Sequence, residues 1–317
     1  KWYYKEVFVS KSKVDSIGER KIFLIRKGEG VFDIAKDLEK EGFISNRFLF
    51  LLYVISHGKY NNLHAGTYLL SKDMSISEIA QNIWEGKVAI LKVTIPEGFT
   101  LSQIEDRLLS AGIKGKKGDL LKFRISDWQD KYDFLKDSPK DNSLEGFLFP
   151  DTYYFPYDAA FEDVVKLMLD NFGEKLTPDL RQEIARQHKK IYDIIIMASI
   201  VEKEVSDFKD RRLVSGILWK RLKNGIPLQA DATISYITGK KTTKISKEDT
   251  EIDSPYNTYK YLGLPIAPIS NPGLESILAS LYPEESDWWY YLSTPEGKTI
   301  FSKTLKEHNI AKNKYLK

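Results

Sequence analysis

Two periods of hydrophobicity alternate along the chain. "KIFLIRKGEG" (residues 21–30) is a short β-prone run ending in Gly28 and Gly30. "VFDIAKDLEKEGF" then repeats apolar residues at three- and four-residue intervals until Gly42, the pattern of a helix with one buried face. "SNRFLFLLYVISHG" reads as a second helix, capped by Ser45 and closed by Gly58, and "AGTYLLS" as a strand. "SISEIAQNIWEG" reads as a third helix, with Ser75 and Glu78 spaced for a capping box and Gly86 at its end. Strand, two helices, strand and closing helix make a unit of about the smallest size that folds alone. Ahead of it, "WYYKEVFVS" is aromatic and β-prone, so residues 1–21 are expected to form an extended arm.

A second pattern opens at "VTIPEGFTLSQIEDRLLSAG", where Pro96 and Gly98 mark a turn, Thr100 a cap, and Ile104, Leu108 and Leu109 a helical stripe. The Lys- and Asp-rich stretch 114–142 shows no period, and "SLEGFLFPDTYYF" is aromatic and broken by Gly146 and Pro150. Helices are expected over 160–173, 178–188 and the run containing "ASIVEKEV" (198–205), then over "FKDRRLVSGILWKRLKNG", whose Arg211, Arg212, Lys220, Arg221 and Lys223 read as a solvated face. "WWYYLSTPEGKTIFS" alternates around Pro-Glu-Gly and predicts a β-hairpin. The fold class is α+β: a small unit over 22–90 and a larger mixed unit over 91–317.

Composition narrows the class. An apolar fraction of 42% with 13% aromatics supports real cores in a chain of 317 residues. A net charge of +3 with dispersed Lys and Arg argues against a nucleic-acid partner. With no cysteine there is no disulfide, thiolate nucleophile or Cys-ligated zinc, and four scattered histidines give no metal-site spacing. No metal or organic cofactor is called for. The chain opens at Lys1-Trp2-Tyr3-Tyr4 and holds no apolar run of roughly 18 or more residues.

The chemistry concentrates in "ASIVEKEV". On a helix, Ile194, Ala198, Val201 and Val205 share one buried stripe, and Glu202 and Glu204 fall on its opposite shoulders, about 160° apart. A carboxyl on such a shoulder is partly desolvated, which raises its pKa towards the range a general acid needs at neutral pH. Surface pairing with lysines is the alternative. Downstream, "GIPLQADATISY" and "DSPYNTYKYLGLPIAPISNPG" supply Gln229, Asp231, Thr233, Tyr256, Asn257, Thr258 and Tyr259, an inventory of neutral hydrogen-bonders and flat rings suited to an uncharged, polyhydroxylated ligand. Structural roles compete there too: Asp231 as a helix cap, Asn257 in an Asx turn.

"ASIVEKEV", "RLKNGIPLQADATISY", "SPYNTYKYLGLPIAPISNPG" and "LEGFLFPDTYYF", with "IPEGFT" and "AGTY" nearer the N-terminus, resemble the signature blocks of the YceG-like endolytic peptidoglycan transglycosylases. The resemblance runs from about residue 22 onward. It implies a LysM-like module before the catalytic domain, a single membrane anchor preceding Lys1, and work on the outer face of the cytoplasmic membrane. It implies peptidoglycan glycan strands as substrate, with wall-synthesis enzymes as candidate partners. The family's catalytic glutamate falls on Glu204. Asp231 is expected to bind or orient the ligand, and Glu145 and Asp151 to act at the scaffold or cleft edge, Glu145 being counted with the ligand-binding set. Where the family carries Thr or Ser, this chain has Ala230. A muramidase acting on the same bond and a non-catalytic wall-binding protein are the competing expectations.

Overall fold

The computed structural model describes residues 4, 7–9, 19–240 and 245–316. The chain divides into two compact units. One comprises residues up to Lys92 with Ala111–Lys114 and Tyr154–Ala160, and the other comprises Val93–Ser110, Gly115–Tyr153 and Phe161 onward.

In the first unit, β1 (Arg20–Ile25) and β2 (Gly66–Ser71) pair antiparallel with Ile22 opposite Leu69 and Phe23 opposite Tyr68. The period-2 alternation sends Phe23, Ile25, Tyr68 and Leu70 inward and leaves Ile22, Leu24 and Leu69 exposed. Between and after the strands run α1 (Val31–Lys40), α2 (Arg47–Ser56) and α3 (Ile76–Trp84). Ile34, Leu38, Phe50, Val54, Ile79 and Ile83 close the core. Tyr68 is fully buried, and its hydroxyl donates to the carbonyls of His64 (2.7 Å) and Ile83 (3.2 Å). The Ser75–Glu78 capping box is present at α3. The cap of α2 is Asn46 rather than Ser45, its Oδ1 accepting from the amides of Phe48 and Leu49, because the extended backbone at Asn46 aims that side chain at the first turn. The expected extended arm is corrected at Tyr4, Val7 and Phe8, which are helical; most of the rest of 1–18 lies outside the described residues. Val7 is buried and Phe8 meets the Tyr53 ring, and this packing favours a helical turn over an extended one.

β3 (Ile90–Thr94) pairs with β4 (Thr152–Pro156), two strands too short to show an alternating signal. The second unit is built around α7 (Ile191–Glu204), preceded by α4 (Leu101–Ser110), α5 (Phe161–Lys175) and α6 (Pro178–Arg186). It is followed by α8 (Phe208–Lys223), α9 (Asp231–Thr238) and α10 (Leu274–Leu281). Residues Ile194 to Val201 of α7 are all buried, with α8, α9 and α10 packed on them. Stretch 114–142 is ordered by three single 3-10 turns rather than by a long element. Leu120, Ile125, Trp128, Phe134 and Leu135 are buried there. Glu105, fully buried in α4, accepts the amides of Gly118 (2.8 Å) and Leu120 (2.9 Å) and so ties that stretch down. The expected hairpin is β5 (Tyr290–Ser293) with β6 (Thr299–Ser302), followed by α11 (Leu305–Tyr315).

Candidate active site

α7 ends at Glu204 because Val205 turns extended and Asp207 caps the next helix, accepting from the amides of Lys209 and Asp210. The two glutamates at this terminus part as the helical wheel requires. Glu202 is sealed in a structural network: its Oε1 pairs with Arg211 at 3.1 Å, both side chains 6% exposed, and its Oε2 accepts the Gly273 amide at 3.0 Å. Arg211 is therefore not on a solvated face. Arg221 is not either, being 6% exposed. Spacing carried the signal: Arg211, Val214, Leu218 and Arg221 recur at three- and four-residue intervals, so both arginines share the buried stripe of α8.

Glu204 is half-buried and faces the other way. Its Oε1 accepts the Ala232 amide at 3.2 Å, a free N–H of the first turn of α9, and the Tyr291 hydroxyl from β5 also donates to the carboxylate. Ser293 Oγ donates to the Glu204 carbonyl at 2.9 Å, fixing the hairpin against the end of α7. Burial, and then the charge of Asp231, push the Glu204 carboxyl up to about 7, against the pull of the two donors. A carboxyl poised there can donate a proton at neutral pH and accept one back.

Around it, Asp231 is the exposed first residue of α9, its Oδ1 taken by the Tyr259 hydroxyl. Asp231 does not cap α9: the cap position is Ala230, buried and without a side-chain bond, because the helical backbone already includes residue 231. Gln229 is exposed and left-handed (φ 52°), with its amide N–H donating to the Thr258 carbonyl at 3.1 Å. Tyr256 is half-buried, its ring tilted against Tyr236 of α9 at 5.0 Å.

Four residues expected to touch ligand are instead buried. Thr233 and Thr258 bond to each other at 3.0 Å, Thr258 accepts the Ala230 amide, and Thr233 donates to the Ala230 carbonyl. Asn257 makes the Asx turn, Oδ1 accepting from the Tyr259 amide at 2.9 Å, while Nδ2 donates to the carbonyls of Thr250 and Ile252. Glu145 is 4% exposed and receives the Leu101 amide at the start of α4, the Asn271 amide group at 2.8 Å and the Tyr236 hydroxyl at 3.4 Å. Burial holds that carboxyl up at about 8. These side chains are spent on holding the loops, which corrects the direct-contact expectation for Thr233, Asn257, Thr258 and Glu145. Asp151 caps its own strand and accepts from Asn171 at 3.1 Å, a scaffold position. Tyr291, Tyr236 and Arg221 are the members the sequence reading missed. For Tyr291 the hairpin alternation was the available signal, since it sets Tyr291 and Tyr290 on opposite faces.

The profile of the YceG-like family matches residues 23–314. The endolytic murein transglycosylase of Bacillus subtilis strain 168 is 34% identical over 303 residues, covering 92% of this chain and 84% of that protein. The endolytic murein transglycosylase of Streptococcus pneumoniae D39 is 31% identical over 342 residues, covering 98% of this chain but 61% of that longer protein. The crystal structure of a YceG-like protein from Listeria monocytogenes superposes with a TM-score of 0.64 at 38% identity, covering 93% of this chain and 99% of that one.

Proposed function

The chain belongs to the YceG-like family, and from that premise we propose that it is an endolytic murein transglycosylase with Glu204 as its single acid/base. It cleaves the β-1,4 bond between N-acetylmuramic acid and N-acetylglucosamine inside glycan strands. The observation that carries the reading is the carboxyl of Glu204, half-buried, fixed by the first turn of α9 and by Tyr291, and held up at about 7. Protonated Glu204 donates to the leaving glycosidic oxygen. The resulting carboxylate takes the proton of the muramic C6 hydroxyl as that oxygen bonds to C1, leaving a 1,6-anhydro end. No water enters, and Glu204 finishes protonated. The tethered nucleophile supplies the large effective concentration of an intramolecular attack, so no second carboxylate is required to activate water.

Gln229, Asp231, Tyr256 and Tyr259 are assigned to ligand binding, and Thr233, Asn257, Thr258 and Glu145 to holding the loops that present them. The β1–α1–α2–β2 order with antiparallel pairing supports a LysM-like reading of the N-terminal unit. A membrane anchor and wall-synthesis partners rest on the resemblance; no helix among the described residues is long and apolar enough to cross a membrane.

Digestion of purified peptidoglycan in heavy-oxygen water tests the reaction. Anhydro-muramic ends about 20 mass units lighter than heavy-oxygen hydrolysis products, with no label at C1, are expected from a water-free cleavage. Labelled reducing ends would overturn it and bring Asp231 forward as the base of a muramidase. Release of no soluble fragments would leave a wall-binding protein.

A further inference from the structure

Arg221 closes α8 beneath the loop that leads into the site, and its guanidinium is almost wholly buried. Its Nη1 donates to the Leu228 carbonyl at 2.7 Å and its Nη2 to Gln229 Oε1 at 3.3 Å, while the Tyr290 ring lies 5.1 Å from its central carbon. No carboxylate pairs with it among the described residues. A buried cation that spends its donors on one carbonyl and one neutral amide is costly unless that geometry is needed. The amide it holds belongs to Gln229, whose left-handed backbone is rare for a side-chain-bearing residue and has to be imposed by its surroundings. The peptide group before Gln229 is tied through both its atoms, the Leu228 carbonyl to Arg221 and the Gln229 N–H to the Thr258 carbonyl. The Ala230 amide after it donates to Thr258 Oγ1, so the strained residue is held on both sides.

A guanidinium has donors and no acceptor. The atom of the Gln229 amide that meets it must be the oxygen, which leaves Nε2 turned outward, with no partner among the described residues. We propose that Arg221 is a positioning residue that makes Gln229 an obligate hydrogen-bond donor, aimed at a neutral acceptor oxygen of the glycan. The proposal rests on the functional reading above and adds to it the direction of donation and the residue that sets it. Free rotation of the amide would let Gln229 offer its oxygen or its nitrogen; the clamp selects one. Arg221 itself touches no ligand.

Binding of soluble, peptide-free murein strands at pH 7, measured by calorimetric titration, tests this. Every variant is carried in a Glu204→Gln background so that strands are not consumed. Gln229→Ala and Arg221→Met are each expected to weaken Kd by about tenfold, the scale of one well-made hydrogen bond. The double substitution is expected to fall within about twofold of the weaker single, because both remove the same contact. Gln229→Glu keeps the oxygen for Arg221 but offers no donor, so it should bind no better than Gln229→Ala. Losses that multiply in the double variant, or an Arg221→Met Kd within twofold of the parent, overturn the positioning role. Parent-like binding by Gln229→Glu overturns the donor assignment. If near-UV circular dichroism shows Arg221→Met unfolded, Arg221→Lys replaces it. The lysine ammonium ends one bond short of the two guanidinium nitrogens and lacks their fixed fork, so Kd should again weaken, and a Kd equal to the parent's again rejects the proposal. Failure of the functional reading is visible separately, as a background protein that does not bind strands before Arg221 or Gln229 is touched.

Discussion

At the scale of single residues, Glu202 and Glu204 differ in environment rather than in type. Glu204→Gln should keep the fold and lose at least about 10²-fold in rate of anhydro-product formation. Glu202→Ala should instead leave the buried Arg211 with Glu275, an exposed carboxylate, as its remaining acidic partner and the Gly273 amide without its acceptor, costing about 3 kcal/mol, read as a drop in Tm. Equal effects on activity from Glu202→Gln and Glu204→Gln would reverse the assignment. The pH dependence follows from the same geometry. Glu204 is held up at about 7 by burial and then Asp231, and Glu145 at about 8 by burial. Above the unfolded value of about 4.3, the folded chain still holds protons that the unfolded chain has released, so stability falls as pH climbs through that window. Glu204→Gln removes its share of the fall, and its Tm relative to the parent should therefore rise between pH 4 and pH 8. Activity should decline through about pH 7 as the acid is lost, which a pH–rate profile of the parent will read. The opposite shoulders were legible because a helix fixes angles between neighbours. The Tyr291 contact was not, since it joins residues 87 positions apart that only tertiary folding brings together.

Among elements, α8 shows packing overruling local preference. A Cβ on Gly216 would lie 2.0 Å from the Glu284 carbonyl oxygen, a backbone atom fixed by the Glu284 amide donating to the Arg212 carbonyl at 3.0 Å. Helix propensity alone favours alanine there by about 1 kcal/mol. Overpacking against a backbone that cannot rotate away costs about 1–3 kcal/mol, and at 2.0 Å the upper part of that range applies. Gly216→Ala should lower the urea midpoint, with activity per folded molecule retained. Long periodic elements such as α1, α3 and α7 could be read from the sequence because their apolar spacing persists over several turns. β3, β4 and the 3-10 turns of 114–142 could not, since three to five residues do not establish a period. In α8 the period was present, but five basic residues obscured that two of them fell on the buried stripe.

For the whole molecule, the α+β class and the closing hairpin were visible in the order of patterns, whereas the way distant loops meet was not. Asn271 is the clearest instance. Its Oδ1 accepts the amides of Gly146 and Leu148, its Nδ2 donates to the Phe99 carbonyl and to Glu145, and its backbone pairs with Phe99 and Gly98. One side chain thus completes three segments separated by up to 172 positions. Synthesis delivers these segments in order, and the last arrives after more than four-fifths of the chain has left the ribosome. Until then the buried Glu145 and the amides of Gly146 and Leu148 lack the partner that satisfies them in the interior. Nascent chains stalled before residue 271 should be cut readily within 145–150 by an added protease, and chains stalled after α11 has emerged should resist. The second unit therefore cannot close its interior until Asn271, which lies late in that unit, has joined the segments made before it.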